Sequence, residues 1–159
     1  MDNKNLELKN IYISAVKNQQ KGNSKIAENL YKKILKEIPN HISTQCNLGA
    51  LYVQTGKNKK AMDLLQNVLQ IEPNNINANT NLGIVFTRLI EYRKAINYYK
   101  KALQIDPNNA DAYNNLGINY KQLGDTDLAK NCFYKAIKIN VNHANAYNNL
   151  GTLFGALEE

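Results

Sequence analysis

The sequence has few of the residues that mark several common protein classes. Its two cysteines, Cys46 and Cys132, are far apart and match neither a disulfide framework nor a metal-binding spacing. Three prolines and eight glycines in 159 residues are too few for a linker or a low-complexity chain. Runs of 18 apolar residues are missing, and the N-terminal MDNKNLELKN lacks the apolar core of a secretory signal. We therefore expect a folded, cytoplasmic protein without a membrane span.

Positive charge exceeds negative charge but is not concentrated. The 20 Lys and Arg residues against 13 Asp and Glu give a net charge of +7. The lysines are scattered through helical patterns such as YKKILKEIP and GKNKKAMD. This distribution favours a solvated outer face over a phosphate-binding patch. Nucleic acid is not the expected partner, and an RNA-binding helical repeat is kept as an alternative.

The dominant pattern is a repeat of 34 residues. Columns of glycine, alanine and proline keep this spacing, and an aromatic residue follows each glycine by three positions. The glycines are Gly49, Gly83, Gly117 and Gly151; the alanines are Ala27, Ala61, Ala95 and Ala129; the prolines are Pro39, Pro73 and Pro107, with Val141 in the next place. A period of this length predicts an array of stacked supersecondary units.

Each repeat is predicted to hold two short helices, because its apolar residues recur at helical spacing. In the clearest repeat the first helix is predicted over Ala110–Leu123 and the second over Thr126–Ile139. Gly124 is expected to stop the first helix by adopting the left-handed conformation. A proline follows the second helix in most repeats and forbids its continuation.

The glycine column calls for a packing explanation, since glycine inside a helix costs about 1 kcal/mol relative to alanine. We expect the backbone of the neighbouring helix to come too close for a larger side chain. Tyr99 and Phe133, in another apolar column, are expected to fill the gap to the following repeat.

The unit resembles the tetratricopeptide repeat (TPR), with the pattern Trp/Tyr-x2-Leu-Gly-x2-Tyr, then Ala-x3-Phe-x2-Ala, then Pro. The best match is ADAYNNLGINYKQLGDTDLAKNCFYKAIKINVNH. The resemblance implies one all-α domain over residues 1–159, a right-handed superhelical solenoid of antiparallel helix pairs. Its repeats are 8–41 (degenerate, with Ala15 in the glycine place), 42–75, 76–109, 110–143, and 144–159 with a first helix only.

The incomplete last repeat is expected to be a cap or a truncated unit of a longer array. Its outward side is expected to expose some of Leu150, Leu153 and Leu157. Two chains that paired such edges would form a self-assembling scaffold, which is a second alternative.

The resemblance further implies that the first helices line a concave groove in which a protein or peptide segment binds. Asparagine recurs at the sixth position of four repeats. Its side chain carries both an acceptor and a donor, so a column of asparagines can pair with the backbone of an extended peptide. This resembles the asparagine ladder in the repeat domain of O-linked N-acetylglucosamine transferases, although asparagine is abundant throughout this sequence. The predicted groove residues are Asn47, Asn81, Asn115, Asn149, Asn77, Asn114, Asn148, Asp111, Arg88 and Lys121.

An enzyme is not expected from these residues. His41 and His143 occupy equivalent loop positions, and Cys46 and Cys132 are interpreted as packing residues. Catalytic constellations, phosphate-binding glycine loops and metal clusters are missing, so no cofactor is expected. The interpretation is a protein-binding scaffold. A third alternative is the substrate-recruiting arm of a larger, glycosyltransferase-like enzyme whose catalytic domain lies beyond Glu159.

Overall fold

The computed structural model describes residues 3–155, in which all regular secondary structure is helical. The helices are α1 (Asn3–Gln20), α2 (Ser24–Glu37), α3 (Ile42–Gln54), α4 (Asn58–Ile71), α5 (Ile76–Arg88), α6 (Tyr92–Ile105), α7 (Ala110–Gln122), α8 (Thr126–Ile139) and α9 (Ala144–Gly155). The chain divides after Pro73 into two compact bodies, an N-terminal body with α1–α4 and a C-terminal body with α5–α9. The all-α repeat fold expected from the sequence is thereby confirmed.

Each body is built from helix pairs joined by short loops, which makes neighbouring helices antiparallel. In the C-terminal body α5 packs on α6, α6 on α7, α7 on α8 and α8 on α9. The first helix α7 also contacts both α5 and α9, whereas the described second helices α6 and α8 do not contact each other. The first helices α5, α7 and α9 therefore lie on the inner side of this body, and α6 and α8 diverge on its outer side.

First helices end at a left-handed residue that recurs every 34 positions. The backbone φ is +78° at Gly22, +72° at Gly56 and +81° at Gly124, which confirms the expected stop at Gly124. Ile90 holds the same place with a φ of +63°. An L-residue in this conformation costs roughly 1–2 kcal/mol, so packing of α5 on α6 maintains a turn that the side chain disfavours.

Second helices end at the same place whether or not proline follows. The helix α8 ends at Ile139, although Val141 stands where the other repeats have proline. The carboxylate of Asp106 accepts a hydrogen bond from the backbone N–H of Asn108 at 3.0 Å, and Asn140 accepts one from Asn142 at 3.0 Å. This side-chain turn supplies a termination signal that does not depend on proline.

The two histidines cap helices. A side-chain atom just before α3, α5, α7 and α9 accepts a hydrogen bond from the backbone N–H three residues later, as N-caps do. The capping residues are His41, Asn75, Asn109 and His143, with distances of 3.3, 3.0, 2.9 and 3.2 Å. Histidine Nδ1 thus replaces asparagine Oδ1 at two of four equivalent positions.

The repeated glycine meets a side chain, not the helix backbone that we expected. A Cβ atom added at Gly117 would lie 2.6 Å from Cε1 of Phe133, and one at Gly83 would lie 2.7 Å from the Tyr99 ring. In each case the large residue belongs to the same repeat as the glycine, so Tyr99 and Phe133 pack within their own repeat. The aromatic ring replaces the missing Cβ and locks the two helices of one pair together.

The outward side of α9 also differs from expectation. Leu150 and Leu153 are buried, because α9 packs on α7 and α8, while Leu157 lies outside the described residues. The exposed apolar residues of α9 are Tyr147 and Phe154. No helix within residues 3–155 combines the length and the apolar character needed to cross a bilayer.

Candidate functional site

The inner face of the C-terminal body is centred on Asn115 of α7. Gly117 faces α8 through its contact with Phe133. At 100° per residue, Asn115 lies roughly 160° around the helix from Gly117 and therefore points away from the second helix. Its side chain is half-buried and makes no hydrogen bond within the described residues. Asn115 thus offers an amide with unused donors and acceptor on the inner face.

The neighbouring asparagines of the same column are partly engaged. Asn81 of α5 donates from Nδ2 to the carbonyl oxygen of Asn77 in its own helix at 2.8 Å. Asn149 of α9 donates from Nδ2 to Oδ1 of Asn114 in α7 at 2.8 Å. Asn114 is only 5% exposed, so it lies between α7 and α9. The Asn114–Asn149 pair fixes the spacing of two first helices.

The N-terminal body contains a similar bond. Asn47 of α3 donates from Nδ2 to the hydroxyl oxygen of Tyr12 in α1 at 2.9 Å. Tyr12 and Asn114 hold the same repeat position, as do Asn47 and Asn149. The sixth-position asparagine therefore links successive first helices in both bodies.

Charged groups occupy the two ends of α7. Asp111, in the first turn, is 85% exposed and its Oδ1 lies 3.1 Å from Nε2 of His143. Lys121, in the last turn, donates from Nζ to Oγ1 of Thr152 in α9 at 3.0 Å. Both charges suit the dipole of α7. The structure thus brings Asp111, Asn115 and Lys121 onto one helix, with Asn81 on α5 and the exposed Asn148 on α9 beside them. Arg88, at the end of α5, is also exposed.

Sequence reasoning missed a buried polar pair beneath this face. Asn119 of α7 is fully buried and donates from Nδ2 to Oγ1 of Thr87 in α5 at 2.9 Å and to the carbonyl oxygen of Asn115 at 2.8 Å. The Thr87 hydroxyl in turn donates a hydrogen bond to the carbonyl oxygen of Gly83 at 2.9 Å. The sequence did hold a signal for this pair: Asn119 is polar, whereas the equivalent residues Leu51, Val85 and Leu153 of other repeats are apolar. The pair fixes α5 against α7 and holds the backbone that carries Asn115.

An ionic cluster in the N-terminal body joins α2, α3 and the residue that precedes α4. The Glu28 carboxylate of α2 accepts hydrogen bonds from Lys32 at 2.7 Å, Lys57 at 2.6 Å and the Tyr52 hydroxyl at 3.0 Å. The Lys32 and Lys57 ammonium groups lower the pKa of Glu28 to about 2, against a partial opposing effect of burial. This cluster stabilises the packing of α2 on the helices that follow.

The described residues contain no group of three or more His, Cys, Asp and Glu side chains that could hold a metal ion. Both cysteines are free thiols and are buried. Burial raises the pKa of the Cys132 thiol to about 11, so it is protonated at neutral pH and is a poor nucleophile.

Comparison with known proteins agrees with the repeat architecture. A family model described as TPR repeat matches residues 49–89 and 91–124, and one described as tetratricopeptide repeat matches residues 110–143. Together the two models match more than half of the chain. No curated protein matches the sequence.

Solved structures give the same result. Two crystal structures of MamA align with TM-scores of 0.81 and 0.80 at 28% and 29% sequence identity. They cover 91% and 94% of this chain and 84% and 82% of their own chains. TTC0263, a thermophilic TPR protein of Thermus thermophilus, aligns with a TM-score of 0.81 at 18% identity, over 94% of this chain and 82% of its own. The last likeness concerns the fold alone.

Proposed function

The chain belongs to the tetratricopeptide-repeat family, and on this basis we propose that it binds an extended protein segment along the inner face of its C-terminal body. The observation that carries the proposal is the unused amide of Asn115 on the inner side of α7, with Asp111 in the first turn and Lys121 in the last turn of the same helix. An amide with a free donor and a free acceptor can hydrogen-bond the N–H and C=O groups of a peptide backbone, whatever the side chains of that peptide are.

Two features prepare this face for binding. The Asn149–Asn114 bond and the Asn119–Thr87 bonds hold α9 and α5 at fixed positions beside α7. A receptor surface that is already ordered loses less side-chain entropy when a partner binds. Asp111 then favours a segment with a basic residue near the start of α7, and Lys121 favours an acidic residue near its end. These two preferences would fix the direction of the bound chain.

The test uses peptides selected from a random dodecapeptide display library on the full chain. Replacing Asn115 by Ala removes the free amide and no interhelical bond, so we expect Kd to rise about five- to twentyfold, the effect of one or two hydrogen bonds. Fluorescence anisotropy measures Kd, and far-UV circular dichroism should show unchanged helicity. Asn97→Ala, at an exposed position of α6, is the matched control and should leave Kd unchanged.

The proposal fails if every selected peptide binds the Asn115→Ala protein as tightly as the Asn97→Ala protein. Asn47 and Asn149 are poorer choices for this test. Their side chains bond neighbouring helices, so their loss would mix changes in binding with changes in packing.

A further inference from the structure

A groove lies on the other side of α7, facing away from the asparagine face. Tyr113 and Tyr120 sit roughly 160° and 140° around the helix from Asn115 at 100° per residue. Together with Leu116 they form the floor of a groove of about 490 Å³, which Leu128 and Cys132 of α8 border. Leu128 and the neighbouring Tyr134 are 47% and 46% exposed. The groove is thus an apolar concavity open to solvent.

One residue that lines the groove is much smaller than its counterpart in the preceding repeat. In the preceding repeat, Tyr98 stacks on Phe86 with ring centroids 5.3 Å apart and an angle of 5° between the rings, which covers the equivalent floor. Here Tyr120 takes the place of Phe86 and Cys132 takes the place of Tyr98. A cysteine side chain has no ring that could stack on Tyr120, so residue 132 does not fill the space that Tyr98 fills in the preceding repeat. The other repeats carry leucine in this place, at Leu30 and Leu64.

The rim of the groove is positively charged. The Lys135 ammonium lies 5.3 Å from the centre of the Tyr113 ring, and the Lys100 ammonium lies 5.7 Å from the centre of the Tyr120 ring. Lys138 lines both this groove and its continuation toward Pro107. No acidic residue lines either part, and none of these three lysines forms an ion pair within residues 3–155. Lys135 and Lys138 line the groove and Lys100 lies nearby over the Tyr120 ring, so positive charge beside an apolar surface complements an anionic and apolar ligand.

We propose that this groove, between α7 and α8 on the outer side of the C-terminal body, is a second docking surface that binds an acidic protein segment carrying apolar side chains. Leucine or phenylalanine side chains of the segment fill the space lined by Tyr113, Leu128 and Cys132. Its carboxylates pair with Lys135 and Lys138. The protein would then hold two partners, one on each side of α7.

A single-stranded nucleic acid would also meet the lysines, but the floor does not suit it. Binding of nucleic acid bases requires aromatic faces on which they stack. Lysine ammonium groups lie over the rings of Tyr113 and Tyr120, so these ring faces are already occupied. The apolar depth of the groove therefore favours aliphatic and phenyl side chains over bases.

The first experiment measures binding of the fluorescein-labelled dodecapeptide (Glu-Glu-Leu-Phe)3 to the full chain by anisotropy. Its controls are (Glu-Glu-Ser-Ser)3, which keeps the charge without apolar groups, (Lys-Lys-Leu-Phe)3, which reverses the charge, and an oligouridine of similar length. We expect Kd for the first peptide to be at least tenfold lower than for each control, and to rise between 50 and 500 mM salt as charges are screened. A basic peptide or an oligouridine that binds as tightly as the acidic peptide overturns the proposal.

The second experiment locates the site with two independent variants. Lys135→Gln with Lys138→Gln removes charge at exposed positions, and Cys132→Tyr restores the ring that fills the preceding repeat. Each is expected to weaken binding of (Glu-Glu-Leu-Phe)3 at least tenfold. The matched control is Lys17→Gln with Lys21→Gln, at two exposed lysines of the N-terminal body, which should leave Kd unchanged.

These variants also separate the two surfaces. Asn115→Ala should not change binding of (Glu-Glu-Leu-Phe)3, whatever it does to the library peptides. The Lys135/Lys138 variant keeps its exposed positions polar, so it remains informative if Cys132→Tyr lowers the thermal stability. Equal affinity of the Lys135/Lys138 variant and the Lys17/Lys21 control would refute the outer groove and leave the inner-face proposal intact.

Discussion

At the scale of single residues, the direction in which a side chain points around its helix decides its task. In α7, Gly117 meets Phe133, Asn119 meets Thr87, and Asn115 meets no described residue through a side-chain hydrogen bond. The three positions lie within five residues of one another, and only the helical register separates them. Adjacent asparagines in one sequence run can therefore serve packing or recognition.

The glycine contacts make a sharp prediction with a control in the same chain. A Cβ atom at Gly117 would press on the buried ring of Phe133, whereas one at Gly151 meets nothing within 4 Å. Gly117→Ala is expected to destabilise the protein by about 1–3 kcal/mol through overpacking. Gly151→Ala should stabilise it by about 0.5–1 kcal/mol, because alanine is the better helix former. Urea denaturation followed by circular dichroism measures both, and a Gly117→Ala protein as stable as Gly151→Ala would contradict the packing account.

Predictions for single residues succeeded where the residue type alone determines the local backbone conformation. The left-handed conformation of Gly124 was predicted from a glycine at the end of a helix. The same conformation at Ile90 could not be predicted, because the surrounding packing overrides the preference of the isoleucine side chain. The opening of the outer groove at Cys132 was equally hidden, since it requires knowing that Tyr98 stacks on Phe86 one repeat earlier.

At the scale of helices, a polar cluster can fix which helices pack together, because its bonds require particular residues on each side. Glu28 bonds Lys32 in its own helix, Tyr52 in α3 and Lys57 at the start of α4. Only this repeat has an acidic residue at that position; the equivalents are Met62, Ile96 and Lys130. The cluster therefore depends on a carboxylate that is particular to the first repeat, and it joins that repeat to the second.

The depressed pKa of Glu28 predicts how stability depends on pH. Folding lowers this pKa from 4.5 to about 2, so its contribution is present above pH 4.5 and disappears as the pH falls toward 2. We expect Glu28→Gln to lose about 1 kcal/mol at pH 7, a modest value because the lysine partners remain 52% and 43% exposed. Between pH 5 and pH 2 the variant should lose less stability than the original protein.

Urea midpoints at pH 7, 5 and 3 measure this difference. Glu7→Gln is the control, since it removes a carboxylate from an exposed pair with Lys33. Parallel pH profiles of the Glu28→Gln and unmodified proteins would show that the cluster does not stabilise the fold.

The sequence predicted the bounds of the two helices in the clearest repeat; α7 begins at Ala110 as predicted and ends at Gln122, one residue before the predicted Leu123. The helix α8 matches its expected bounds, Thr126–Ile139. The burial of Leu150 and Leu153 was not predicted, since it depends on how α9 sits against α7 and α8. Pattern alone gives the apolar face of a helix but not which neighbour covers it.

At the scale of the whole molecule, the chain is a repeat protein of the protein-interaction class. In its C-terminal body α7 lies at the centre, in contact with α5, α6, α8 and α9. One side of α7 presents an amide, and the other side is the floor of an apolar groove with a basic rim. A rigid element exposed on two sides suits a scaffold that brings two partners together.

The central claim is that the amide of Asn115 contacts a bound peptide. The most direct measurement follows the side-chain amide resonances of the ¹⁵N-labelled protein while a library-selected peptide is added. We predict that the Asn115 and Asn81 side-chain signals shift with the fraction bound, whereas the signal of Asn119, buried against Thr87, stays in place. Saturation with peptide that leaves the Asn115 signal unchanged would contradict the claim.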